Sequence, residues 1–233
     1  MKRNIISTAR ITISIAVAAA ALFAIVEPAI SFGASTTSQF SISQTVTSEI
    51  SFKTAPSNVV MSPSLGGISG GTSNGGTQLI VSTDNTSGYN MTITASSSLG
   101  MIGNASSTNY ITAYLPAAAS TSPDFNFAVN SARGSAFGYT VAASSTGDVS
   151  QMFKNTGAIC NAGSGVNTTG GTNHCWLNAS TSAVTIINSA VPTPGSGSTS
   201  TLMFQVTINA NPNPVIPNDT YVATTTLTAT TNP

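Results

Sequence analysis

A period of two constrains this chain more than any other feature. Across residues 202–208, Leu202, Phe204, Val206 and Ile208 alternate strictly with Met203, Gln205 and Thr207. Successive side chains of a β-strand point to opposite faces, so a run of this kind packs one face and solvates the other. The pattern returns at Phe40-Ile42-Val46, Ile50-Phe52, Leu79-Val81, Tyr89-Met91-Ile93-Ala95 and residues 110–115. It continues at Phe125-Phe127-Val129, Phe137-Tyr139-Val141, residues 184–187 and residues 221–229. Turn-rich segments separate these runs at the spacing of a β-sandwich, which predicts about ten strands. Thr, Val and Ile favour strands, the Ala-Glu-Lys-Leu composition of helices is missing, and no helix signal follows Val26. The fold predicted for residues 34–233 is therefore all-β and antiparallel, with a division into two small sandwiches near 116–124 as the alternative.

The N-terminus has a different logic. Lys2, Arg3 and Arg10 precede an uncharged apolar run over residues 11–26, and Ala29, Ser31, Gly33 and Ala34 follow it. Positive, apolar, then small is the order of a secretory signal peptide, here a helical segment covering residues 1–33. Cleavage after Gly33 fits the small-residue rule, with Ser31 and Ala34 as alternative sites. The competing reading is an uncleaved anchor, but the sixteen-residue run is shorter than the ~20 residues that span a bilayer comfortably. Nothing after Gly33 is apolar over such a length, so no membrane span is expected in the mature chain.

Beyond residue 33 the charged side chains are Lys53, Arg133 and Lys154 against Glu49, Asp84, Asp124, Asp148 and Asp219, three positive and five negative, or −2. A nucleic-acid partner would need a basic patch, which this set cannot form. Cys160 and Cys175 are the two cysteines, and an even count in an exported chain reads as one disulfide. It would close a Gly/Asn/Thr-rich loop whose own packing is poor.

A catalytic set is hard to assemble from these residues. The one histidine, His174, stands beside Cys175 in the predicted Gly-rich loop and lacks the rigid setting of a triad base. Glu49 and the four Asp are scattered, whereas glycosidases normally need paired carboxylates. An enzyme would require Asp148, Asp124 or Glu49 to converge in a pocket. Asp84, Asp148 and Asp219 lie in turn-like settings that favour loop roles. Zinc lacks a His/Cys cluster, and the segment at residues 84–87 lacks the repeated acids of a calcium loop. No catalytic residue, cofactor or metal is expected. The segment GGISGGTSNGG (66–76) has no Lys and reads as a flexible loop, not a phosphate cradle. Asn85, Asn90, Asn104, Asn167, Asn178 and Asn218 open N-x-S/T sequons, which arise by chance in a chain so rich in Ser and Thr.

Two segments echo each other. TQLIVSTDNTSGYNMTITA (77–95) and the stretch 201–229 each run strand, turn, then a strand led by Tyr, and FGYTVAA (137–143) repeats the Tyr-led strand. Tyr89, Tyr139 and Tyr221 are read as structural tyrosines that cap the core, with the hydroxyl tied to nearby backbone. The alternating segment 38–46 is expected to be the protein's own first strand; the alternative is pairing with an open sheet edge of a neighbouring copy.

The signal peptide, the low charge, STDNTSGYNMTITA (82–95) and the closing NDTYVATTTLTATT (218–231) together resemble exported bacterial β-sandwich proteins of the spore coat protein U and WxL-domain kind. The Trp-x-Leu signature of the WxL group is absent, because Trp176 is followed directly by Leu177. The resemblance implies an Ig-like, Greek-key sandwich at the cell surface, with structural work as a coat or fibre subunit, or adhesive work, and no catalysis. Expected partners are further copies of the chain, as a homo-oligomer or fibre, or other surface proteins and glycans. The alternative is a secreted module that binds a carbohydrate or small ligand through its long loops and an exposed Tyr or Trp176.

Overall fold

The computed structural model describes residues 36–117, 122–145, 147–165 and 173–233. The signal-peptide assignment to 1–33 and the sequon at Asn167 lie outside these residues. Val46–Pro233 form one compact unit. Residues 36–45, described by themselves, are exposed and have no regular secondary structure.

The compact unit is all-β. Its described residues form twelve strands: β1 (Ile50–Thr54), β2 (Gly71–Thr83), β3 (Tyr89–Ala95), β4 (Gly100–Gly103), β5 (Tyr110–Thr112), β6 (Asp124–Asn126), β7 (Ser135–Ala143), β8 (Asn173–Asn178), β9 (Val184–Ser189), β10 (Ser198–Ile208), β11 (Tyr221–Val222) and β12 (Thr225–Thr231). A single 3₁₀ turn covers Gln151–Phe153. Three sheets result, ordered β1-β2-β10-β7-β8-β6, β12-β3-β9 and β11-β4-β5, and every strand pairing in them is antiparallel. They share one main hydrophobic core, a sandwich-like arrangement.

The strongest alternation in the sequence makes the central strand. Strand β10 pairs along Ser198–Val81 to Ile208–Gly71 with β2, and along Ser200–Ala143 to Ile208–Ser135 with β7. Its inward residues Leu202, Phe204, Val206 and Ile208 are buried, and the residues between them are half-exposed. They meet Leu79 and Val81 of β2, Phe137, Tyr139 and Val141 of β7, and Met91, Ile93, Ile186 and Ile187 of the β3–β9 layer. Strand β7 is buried on both faces. Its second face lies under Tyr114, Phe127 and Trp176, with Tyr114 and Phe127 stacked at 4.6 Å and Phe127 edge-on to Trp176 at 5.2 Å. Glycine at position 138 makes room for that cover: a Cβ there would stand 3.0 Å from both Phe127 and Tyr114.

Three local expectations are corrected. Residues 38–46 are not a strand of the sandwich; they have no regular secondary structure and no strand pairing. The Gly-rich stretch 66–76 is not simply a loop, because residues from Gly71 onward belong to β2 and pair with β10 throughout. A Cβ at Gly75 would lie 2.5 Å from Val59 and 2.9 Å from Met61, so the glycine lets the segment after β1 cross close over the strand. His174, expected in a Gly-rich loop, stands in β8.

Because Leu202 is fully enclosed between the layers, Leu202→Ala should destabilise the fold by about 2–5 kcal/mol. Met203→Ala, on the opposite and half-exposed face, should cost about 1 kcal/mol or less. Urea unfolding of both variants, with an unchanged slope, checks the pair.

Candidate functional site

The ionisable side chains are distributed among separate structural tasks. The Asp84 carboxylate accepts the Glu49 N–H at 2.7 Å. Asp124 accepts the Tyr114 hydroxyl at 3.0 Å and the Ala117 N–H. Asp219 holds the β4–β5 loop by accepting the Ala105 N–H at 3.0 Å, and also accepts the Thr220 N–H at 2.7 Å. Lys53 donates to the Gly195 carbonyl at 2.8 Å, Lys154 to that of Gly147 at 3.1 Å, and the Arg133 guanidinium lies 4.1 Å over the Tyr110 ring. Among the described residues no three His, Cys, Asp or Glu side chains gather as a metal site. In the segment weighed for calcium, Asn85 uses its amide otherwise. It donates to the carbonyls of Gly88 at 2.8 Å and Asn232 at 2.7 Å, fastening the end of the chain to the β2–β3 turn.

The aromatic residues considered as a ligand platform are mostly inside. Trp176 is only 3% exposed, and Tyr89, Tyr114 and Tyr139 are buried with it. His174 is buried as well and meets Trp176 edge-on at 5.7 Å. A shallow depression lined by Ile93, Ala95, Phe137, Phe204 and Thr225 holds about 220 Å³, including space open to solvent.

The three tyrosines differ in their ties. Tyr221 opens β11 and its hydroxyl donates to the Pro217 carbonyl at 2.8 Å, four residues upstream. Tyr89 opens β3 with its ring fully buried, and its hydroxyl makes no contact of hydrogen-bond geometry although Ser198 stands near it. Tyr139 lies at the middle of β7, not at its start, between Phe204 and Leu177 of the flanking strands. Burial pushes the phenols of Tyr89 and Tyr139 up, and burial together with the Asp124 carboxylate does the same at Tyr114.

Cys160 and Cys175 form a disulfide with Cα atoms 5.7 Å apart. Backbone bonds between Asn155 and Gly165, at 2.8 and 3.0 Å, tie the same loop on its N-terminal side. Cys175 is wholly buried in β8, so the bridge joins the loop to the main sheet.

The surface feature that stands apart is apolar. Phe40, Ile42 and Val46 are 83%, 87% and 81% exposed. They occupy alternate positions, so in an extended chain all three project to one side. The sequence carries this signal in its alternation, but alternation alone does not say whether the partner is the protein's own sheet or another.

Comparison with known proteins found no match: no family model, no curated protein and no solved structure aligns significantly with the chain.

Two outcomes follow from this geometry. The loop closed by the disulfide has a sequence separation of 15, so reduction should lower the unfolding free energy by about 3 kcal/mol, read from urea curves with and without reductant. The raised phenol pKa values of Tyr89, Tyr114 and Tyr139 mean that the fold holds their protons more tightly than the unfolded chain does. Their contribution is complete below about pH 10 and falls as pH rises beyond it. The urea midpoint should therefore hold up to about pH 10 and drop as pH rises above it, and Tyr139→Phe should flatten that drop.

Proposed function

We propose that this chain is an exported, non-enzymatic subunit of a cell-surface coat or fibre that associates with further copies of itself through residues 38–46. The reading takes residues 1–33 as a signal peptide and the compact unit as an Ig-like, Greek-key sandwich. The exposure of Phe40, Ile42 and Val46, which are spaced as residues of one strand face would be, carries it. Burying each such side chain is worth roughly 1.5–3 kcal/mol, so a lone copy leaves a strand's worth of stabilisation unused.

Surface charge supports the same reading. With eight charged side chains after residue 33 and a net of −2, copies repel each other weakly, and low net charge promotes association. The disulfide is compatible with an oxidising, extracytoplasmic compartment. No helix among the described residues is long and apolar enough to cross a membrane. The burial of Trp176 weighs against a carbohydrate-binding module, which would present such a ring to solvent.

Size-exclusion chromatography with light scattering on oxidised 34–233 should show oligomers or fibres that grow with protein concentration. Deleting residues 38–46 should leave a monomer with the same circular dichroism. A monomer at every concentration from the undeleted chain would remove self-association as the function.

A further inference from the structure

The sheets of the compact unit differ in how they protect their edges. Strand β1 is five residues long, has a bulge between Phe52 and Thr54, carries Lys53 and is followed by Pro56. Strand β6 has three residues, an interrupted register and Pro123 before it. The outer side of β9 is covered by residues 148–150, through Ser150 N–H to the Ile186 carbonyl at 2.9 Å and Asn188 N–H to that of Asp148 at 2.7 Å. Strands β5 and β11 have three and two residues. Short length, bulges, Lys, Pro and covering segments are the usual devices against strand addition.

Strand β12 has none of them. It runs for seven residues as TTLTATT, with neither charge nor proline, and pairs with β3 in unbroken register from Thr225–Ala95 to Thr231–Tyr89. Ser96 N–H bonds the Thr224 carbonyl at 2.9 Å and Asn232 N–H bonds that of Gly88 at 3.1 Å. Even-numbered residues therefore face β3 with their backbone groups. In an antiparallel pair the alternate residues point the other way, so Thr225, Leu227, Ala229 and Thr231 turn their N–H and C=O groups to the open side. The same four side chains are the inward ones, and they are only half-buried, whereas the matching positions of β10 are fully buried. The sheet ends one strand short of closing its core.

We infer that β12 is the acceptor edge for residues 40–46 of a second copy, which add there as an outer strand with Phe40, Ile42, Gln44 and Val46 turned inward beside Leu227 and Ala229. This rests on the self-association proposed above. The fit is one of length, period and chemistry. Seven residues meet seven, and alternate positions 40, 42, 44 and 46 fall opposite 225, 227, 229 and 231 whichever way the strand runs. Ser41, Ser43 and Thr45 then join the exposed Thr226, Thr228 and Thr230 on the outer face. Neither partner brings a charge to be desolvated. Main-chain bonds supply affinity in such additions, and the alternate side chains supply specificity.

Position 43 is central in the segment and Thr228 is central in β12, so these two meet in either strand direction. Ser43→Cys and Thr228→Cys chains, prepared separately, would be mixed, unfolded, refolded together and oxidised, and the disulfides mapped by mass spectrometry. A disulfide between position 43 of one copy and 228 of another, formed in most of the assembled material, is the expected result. Ala229→Pro removes an N–H from the open side while leaving the β3 bonds in place. It should abolish assembly and leave the unfolding midpoint of the monomer nearly unchanged. Assembly that persists in Ala229→Pro without the 43–228 disulfide would overturn β12 as the acceptor and leave self-association standing. A chain carrying both cysteines that closes the disulfide within itself at high dilution, with no cross-link between mixed copies, would overturn the second copy as occupant. Failure of the undeleted chain to associate at all would overturn the broader reading and this one with it.

Discussion

The two-sided ladder along β10 is the interaction on which the compact unit depends. Eleven consecutive residues pair with β2, and nine of them pair with β7 as well. A strand bonded on both edges has no freedom to slide without breaking two registers together. A slip of one residue would also turn Leu202, Phe204, Val206 and Ile208 out of the core and Gln205 and Thr207 into it. Once that strand is fixed, β2 presents an edge for β1, and β7 presents one for β8 and β6. The constraint explains a glycine of β2 too. The strand stays paired to β10 down to Gly71 even where a second segment crosses over it, and the missing Cβ at Gly75 leaves room for that crossing.

With the sheets set by alternation, the few charged groups are left to fix loops. Asp84, Asp219 and Lys53 each bond a main-chain group at a turn or strand end, and Asp124 joins a loop N–H to the hydroxyl of Tyr114. Thr and Ser cover the outer faces in place of charge. Their hydroxyls bond across strands, as between Thr72 and Thr207 at 3.0 Å, while the branched Thr side chain favours the pleated backbone. A sheet built in this way has a surface that is polar without being repulsive.

The strands with strict alternation were legible in the sequence: β3, β7, β10 and the run that became β11 and β12. So was the disulfide, because two cysteines in a chain of this composition have few other uses. The rest depended on long-range pairing that no local pattern carries. Residues 71–76 have the composition of a loop, and tertiary pairing with β10 overrides it. His174 and Trp176 sit beside a Gly-rich stretch yet belong to β8, because β7 pairs with Leu177 and Asn178, Asp124 of β6 pairs with Trp176, and Phe127 gives Trp176 a ring to pack against. At residues 38–46 local pattern pointed the opposite way. Alternation there is as good as in a core strand, but it records a tendency to join a sheet and does not name which one.

That ambiguity has a physical consequence for the form of any assembly. A segment that donates a strand and an edge that accepts one are different surfaces of the same chain, so pairing between copies is heterologous. Heterologous contacts close into a ring only when the rotation between neighbours happens to divide a full turn; otherwise they repeat without end. Each copy that accepts a strand still offers its own, and each copy that donates still has an edge to fill. If residues 40–46 dock on β12 as proposed, guarded edges elsewhere among the described strands would favour open repetition over a closed assembly.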